Sequence, residues 1–152
     1  MSGAAVELRK AERADRAAIW RLIFSERLNP LGINWRRFVL AVDEAGAVIG
    51  CAQVKPHSDG TRELASLVVV PSWRGRGVSR RLIETLQASA GPPLYLTCRS
   101  GLAEFYARFW FCLLEDQELT TYYRRLKRLV TRLIWLTRSR EGLAVMLWKG
   151  EV

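Results

Sequence analysis

Residues 64–86, Leu-Ala-Ser-Leu-Val-Val-Val-Pro-Ser-Trp-Arg-Gly-Arg-Gly-Val-Ser-Arg-Arg-Leu-Ile-Glu-Thr-Leu, constrain the fold more than any other stretch of the chain. An apolar run stops at Pro71, a loop carrying two glycines and alternating arginines follows, and an amphipathic repeat begins at Gly77. That order places the start of a helix directly after the end of a buried strand. The first peptide N–H groups of a helix have no intrahelical acceptors, and the positive end of the helix dipole stands behind them. A loop of this kind at a helix N-terminus is suited to phosphate. Gly75 and Gly77 let the backbone turn tightly and come close to a ligand. Arg74, Arg76, Arg80 and Arg81 add positive charge at the same place.

Composition narrows the remaining choices. A chain of 152 residues, 49% hydrophobic, reads as one domain over 1–152 with a sizeable core. Its longest apolar runs, Leu67–Val70 and Phe38–Val42, are too short to span a bilayer. The N-terminus becomes charged at Glu7 with no apolar run before it, so no secretory leader is expected. Cys51, Cys98 and Cys112 are odd in number and share no metal spacing, which suggests reduced, mostly buried thiols and a cytoplasmic location. His57 is the only histidine, which argues against a multi-histidine metal site or a catalytic triad; no metal is expected.

Hydrophobic periodicity and turn signals order the elements. Val6–Arg9 reads as a strand, and Asp15–Leu28 as a helix capped by Asp15, with Ala18, Leu22 and Ile23 or Phe24 at helical spacing. Asn29-Pro30-Leu31-Gly32 breaks the chain, and Asn34 caps a short helical turn over Trp35–Arg37. Strands follow over Phe38–Asp43 and Ala47–Lys55, then the hairpin turn His57-Ser-Asp-Gly60, then a long strand over Thr61–Val70. A helix over Gly77–Ala90 stops at Gly91-Pro92-Pro93. A strand at Leu94–Thr97, a helix at Leu102–Trp110, a strand at Phe111–Leu114, a helix at Leu119–Thr137 and a strand at Leu143–Trp148 complete the chain.

Two motifs carry a resemblance. Arg74-x-x-Gly77-x-Ser79 resembles the acyl-CoA-binding signature of the GNAT N-acetyltransferase superfamily, Gln/Arg-x-x-Gly-x-Gly/Ala, which opens the helix after the fourth strand. Ser79 departs from the pattern but is small. Residues 99–111 resemble the family stretch Asn-x-x-Ala-x-x-Phe-Tyr-x-x-x-Gly-Phe: Phe105, Tyr106 and Phe111 match, whereas Arg99 stands where Asn is usual and Trp110 where Gly is usual. The element order fits the family over nearly the whole chain. The resemblance implies a mixed α/β (α+β) GNAT fold, with a mostly antiparallel central sheet of six or seven strands flanked by helices. An extra basic amphipathic helix before the last strand is this chain's own addition.

The implied reaction is transfer of an acetyl group from acetyl-CoA to a primary amine, such as a small amine, a lysine side chain or a protein N-terminus, by direct attack. The resemblance assigns the cofactor pyrophosphate to Arg74, Gly75, Arg76, Gly77, Val78, Ser79 and Arg80. It assigns the pantetheine arm to the backbone of Val68, Val69 and Val70, pairing like an added strand. In the family a bulge in that strand opens the slot, and this sequence does not show one. Tyr106 takes the place of the general acid for the leaving thiolate. Glu63, eleven residues before Arg74, takes that of the base, with His57 as fallback. A solvated Glu63 paired with Arg62 or Lys55, and a solvent-exposed His57, are the plain alternatives. Glu26, in the loop toward the acceptor side, could attract an amine or be a solvated helix-end acid. The stretch Glu26–Gly32 also resembles small GNATs of cyanobacterial and plastid type, which act on lysine side chains, N-terminal amines or arylalkylamines.

The net charge of +9 is uneven: Arg124, Arg125, Lys127, Arg128, Arg132, Arg138 and Arg140 fall between Tyr122 and Arg140 with no acid among them. The apolar face of this helix packs on the domain or on a second copy in a homodimer. Its basic face lies in water, on an anionic membrane surface or on an acidic partner. Nucleic acid is disfavoured, because no nucleic-acid-binding fold accompanies the charge. A non-catalytic acyl-CoA-binding module that docks through this helix is the alternative to an enzyme.

Overall fold

The computed structural model describes residues 4–137 and 141–150, and every structural statement below concerns those residues. Arg138 and Arg140 of the basic run lie outside them. Seven strands, β1 (Glu7–Lys10), β2 (Phe38–Val42), β3 (Val48–Pro56), β4 (Arg62–Val69), β5 (Leu94–Arg99), β6 (Cys112–Leu113) and β7 (Leu143–Trp148), are ordered β1-β2-β3-β4-β5-β7-β6. Four helices accompany them: α1 (Arg16–Ser25), α2 (Val78–Ala90), α3 (Ala103–Ala107) and α4 (Thr121–Thr137). The sheet is mostly antiparallel, and β4 meets β5 in parallel at the rung Glu63–Tyr95. By Cα proximity the chain divides into two compact units, Met1–Lys55 with Leu64–Ala90, and Pro56–Glu63 with Gly91–Val152.

In the first unit α1 buries Ile19, Leu22 and Ile23 against Phe38, Leu40 and Val42 of β2 and Cys51 of β3. Side chains of this kind, fully removed from water, each contribute about 1.5–3 kcal/mol. The helix ends at Ser25 rather than Leu28. The Leu28 amide donates to the Ile23 carbonyl and the Arg27 amide to that of Phe24, with Arg27 at φ 53°. This pair of bonds closes a helix C-terminus upstream of the Asn-Pro breaker, with arginine at the position glycine usually fills. Asp15 does not cap α1. Its carboxylate accepts from both terminal nitrogens of the Arg9 guanidinium, at 2.8 and 2.9 Å, and from the Glu12 amide at 2.7 Å. Asn34 caps the turn Trp35–Arg37 as its sequence implies, accepting from the Arg36 amide at 3.1 Å.

Amphipathic α2 buries Val78, Leu82, Ile83 and Leu86. Its approach to β3 requires Gly50, where an added Cβ would stand 3.0 Å from the Val68 carbonyl oxygen and 3.3 Å from Leu82 Cδ1. This contact sets α2, and the loop that opens it, directly behind the end of β4.

In the second unit Leu114, Leu119, Tyr123 and Val145 form a core joined by Tyr95, Tyr122, Leu126 and Leu147. The helix expected over Leu102–Trp110 is only five residues of α-helix, preceded by a 3-10 turn over Ser100–Leu102. Trp110 ends the segment at φ 70°. The position where the family pattern carries glycine therefore has the backbone that favours glycine, occupied by an indole. The next strand shrinks to Cys112–Leu113, and α4 begins at Thr121 rather than Leu119. Cys51 and Cys98 are buried and Cys112 is exposed, all three as free thiols.

Candidate active site

The residues expected to carry the chemistry fall into two groups, one in each unit. In the first, β4 ends at Val69 and the chain turns over Pro71–Trp73 before entering α2. Gly75 and Gly77 adopt φ 75° and 80°, and a Cβ built on either would meet nothing within 4 Å. Conformation, rather than crowding within the protein, therefore demands glycine here, and the space over the loop is open. The α2 ladder begins with the Arg81 amide bonding the Gly77 carbonyl at 3.1 Å. Helix geometry accordingly leaves the amides of Val78 and Ser79 at its mouth without intrahelical acceptors.

The arginines around this loop have separate tasks. Arg74 lies 2.8 Å from Glu26 Oε2 and donates through Nε to the Val69 carbonyl at 3.1 Å, strapping the loop after α1 to the end of β4. Arg76 stacks over Trp73, with its guanidinium carbon 4.8 Å from the ring centre. Arg80 pairs with Glu84 one turn along α2, and Arg81 donates to the Val6 carbonyl at 2.6 Å. Glu26 is thus a partner of Arg74.

The backbone of β4 divides by parity. The Val70 amide donates to Ile49, and the Val68 carbonyl lies close over Gly50, so both turn toward β3. Val69 turns its polar backbone the other way, where Arg74 meets its carbonyl. Of the three valines expected to bind a pantetheine arm, only Val69 faces away from β3. Upstream, Ser66 interrupts the extended strand at φ 58°. Its hydroxyl accepts from the fully buried Gln53 amide at 2.9 Å, and its carbonyl accepts from Cys51 Sγ at 3.5 Å. This is the irregularity the sequence did not reveal.

In the second unit the expected base is buried, not a solvated hairpin residue. Glu63 is 4% exposed. Its Oε2 lies 3.1 Å from His57 Nε2, and Thr97 Oγ1 donates to Oε1 at 3.2 Å. Nor is His57 an exposed turn residue: the turn bonds His57 to Thr61 and Gly60 to His57 bring it back over β4. Its ring stacks on Tyr122 at 4.3 Å and meets Tyr123 edge-on at 6.0 Å. Tyr123 in turn stacks on Tyr95 at 4.8 Å. The hairpin turn is pinned to the start of α4 by Thr120, which donates to Asp59 Oδ2 at 3.0 Å. Burial, followed by the negative charges of Glu63 and Asp59, raises the Tyr122 phenol above its ordinary value. Burial and Glu63 raise Tyr123 as well. Helix α4 therefore walls the Glu63–His57 pair with two protonated phenols. Sequence reasoning missed Tyr122, Tyr123 and Thr97 because only tertiary folding brings them there.

Tyr106 lies on α3, edge-on to Phe105 at 5.0 Å and to Phe111 at 6.3 Å. Burial, with a smaller contribution from Cys98, pushes its phenol up to about 12, so it is fully protonated at neutral pH. Arg99, at the family's Asn position, is exposed, 3.8 Å from Glu141. No cluster of side chains suited to a metal occurs among the described residues.

A family model for the acetyltransferase (GNAT) domain matches residues 34–113, which include β2 to β6, the glycine loop, Glu63 and Tyr106. The chain belongs to the GNAT acetyltransferase family. No curated protein sequence matches this GNAT domain. Solved structures resemble its fold. N-acetylglutamate synthase from Neisseria gonorrhoeae, solved with coenzyme A and L-arginine, is similar with a TM-score of 0.74 at 20% identity, over 99% of this chain and 34% of that one. The GNAT domain thus spans about a third of that synthase. Rv2747 from Mycobacterium tuberculosis, solved with CoA, matches at a TM-score of 0.70 and 20% identity, over 95% of this chain and 99% of that one. A GNAT-family acetyltransferase from Staphylococcus aureus matches at 0.69 and 12% identity, over 95% and 99%.

Proposed function

We propose that the protein is an N-acetyltransferase that moves the acetyl group of acetyl-CoA to a primary amine by direct attack. The observation that carries this reading is the pair of glycines at φ 75° and 80° in the loop that leads from β4 into α2. Their open upper face and the basic side chains around it fit a pyrophosphate, bound by the amides at the helix mouth. Arg74, Gly75, Arg76, Gly77, Val78, Ser79 and Arg80 hold that group, and Val69, the valine whose backbone faces away from β3, receives the pantetheine arm once Arg74 releases its carbonyl.

Bound acetyl-CoA supplies an activated acyl carbon. The amine nitrogen bonds to that carbon as the carbon–sulfur bond breaks, and one amine proton must leave. Glu63 takes that proton directly or through one water, and His57, less deeply buried than Glu63, passes it toward solvent. Tyr106 takes the role of partner to the departing sulfur. An ordinary thiol titrates near ~8.5, so a phenol held at about 12 keeps its proton and stabilises the sulfur by hydrogen bonding. Electrostatic stabilisation is thus its larger role.

Release of free thiol from acetyl-CoA in the presence of an amine panel tests this reading. Amine-dependent release that Tyr106→Phe diminishes, with CoA binding retained, supports it. Tight CoA binding with no release for any amine would make the protein the non-catalytic acyl-CoA-binding module instead.

A further inference from the structure

The apolar arc of α4 is wider than its core. Tyr123 is fully buried, and Leu126 packs with it against Leu119 and Val145. Leu129, Leu133 and Leu136 do not share this burial: they are 57%, 53% and 69% exposed. At about 100° per residue these three lie within about 60° of one another, in a single row along the helix. Arg125 and Arg132 border the row on one side, both exposed. Arg132, with Arg124, Lys127 and Arg128 farther round the helix, also lines an open groove of about 700 Å³ against the turn at Asp116–Glu118. The helix carries five basic residues and no acid. One of the five, Lys127, is paired with Asp116.

We infer that α4 docks the protein on an anionic lipid surface. Three partners could meet this face, and only one satisfies both of its halves. Nucleic acid would take the arginines and leave the leucines in water. A second copy of the chain could cover the leucines, but its own arginine border would oppose this one, on a chain already at +9. A bilayer interface accepts the leucine row at the level of the acyl boundary and places the bordering arginines among lipid phosphates. The groove holds the headgroups. No described helix is long and apolar enough to cross a membrane, so α4 lies along the surface. Because α4 also supplies Tyr122 beside His57, docking sets one wall of the proposed active site against the membrane.

Co-sedimentation with vesicles tests this. The full chain should pellet with phosphatidylglycerol–phosphatidylcholine vesicles at low salt and remain in solution with phosphatidylcholine alone. Arg125→Gln/Arg128→Gln/Arg132→Gln should weaken binding roughly a hundredfold. Leu129→Ser/Leu133→Ser should weaken it at least about tenfold, with an unchanged circular dichroism spectrum because both leucines are exposed. Three results would overturn the inference: no pelleting with anionic vesicles at low salt, full binding by the leucine variant, or displacement from vesicles by a DNA duplex that the leucine variant binds equally well. A dimer in sedimentation equilibrium that the leucine variant abolishes would assign the row to a second copy instead.

Discussion

His57 Nε2 stands 3.1 Å from Glu63 Oε2, and the two residues are joined by the turn at Asp59-Gly60. Thr97 occupies the other carboxylate oxygen, so both oxygens of the proposed base are oriented before any substrate arrives. Glu63→Gln preserves the shape and the Thr97 contact while removing the proton acceptor. Turnover should fall about a hundredfold or more, with the Kd for CoA unchanged. Unchanged turnover would take Glu63 out of the reaction.

Tyr106→Phe should lower kcat with little effect on CoA binding. Because the Tyr106 phenol is held up to about 12, the wild-type pH–rate profile should show no loss from this group through pH 10. An alkaline limb near pH 9–10 that Tyr106→Phe removes would contradict that placement.

Trp110 holds φ 70° and is 54% exposed. At such a position glycine escapes a steric cost of about 1–2 kcal/mol borne by other residues, which its greater unfolded-state entropy offsets only in part. Trp110→Gly should therefore be more stable than Trp110→Ala by about 1 kcal/mol, the reverse of the order inside a helix. Urea denaturation of the pair decides it, and alanine equal to or better than glycine would contradict the argument.

The legible parts of this fold were those whose cause is local. The Asn34 cap, the turn at Asp59-Gly60 and both loop glycines each answer to a backbone need a few residues long. At two of the three non-glycine residues with left-handed backbone, Ser66 and Arg27, local composition gave no warning. Asn29-Pro30 set the expected end of α1 at Leu28, yet the bonds around Arg27 close it at Ser25. Asp15 sat where a cap belongs, but Arg9 from β1 offered its carboxylate a two-nitrogen partner. That pairing holds it below the usual carboxylate range. Glu63 and His57 were each readable as candidates, and their contact followed only from the hairpin's closure. The stack of Tyr122 on His57 depends on a helix more than sixty residues away in the chain.

Stability should fall on the alkaline side. Burial raises the Cys51 thiol from its ordinary value to about 12. The unfolded chain releases this proton above pH ~9 while the folded chain keeps it, so stability present below that pH is lost as pH rises toward the folded value. One such group costs about 1 kcal/mol by pH 10. Thermal melts at pH 8 and 10 should show this loss in wild type and a smaller one in Cys51→Ala, which itself starts lower for the lost packing. Equal pH dependence in both would contradict the assignment.

Calorimetric titration of CoA into the wild type and Gly77→Ala tests the helix-mouth cradle most directly. A Cβ at φ 80° strains the loop and enters the open space over it. Affinity should drop about tenfold or more, and inorganic pyrophosphate should compete with CoA for the wild-type protein. Equal affinity in the two proteins, or CoA binding indifferent to pyrophosphate, would contradict the account.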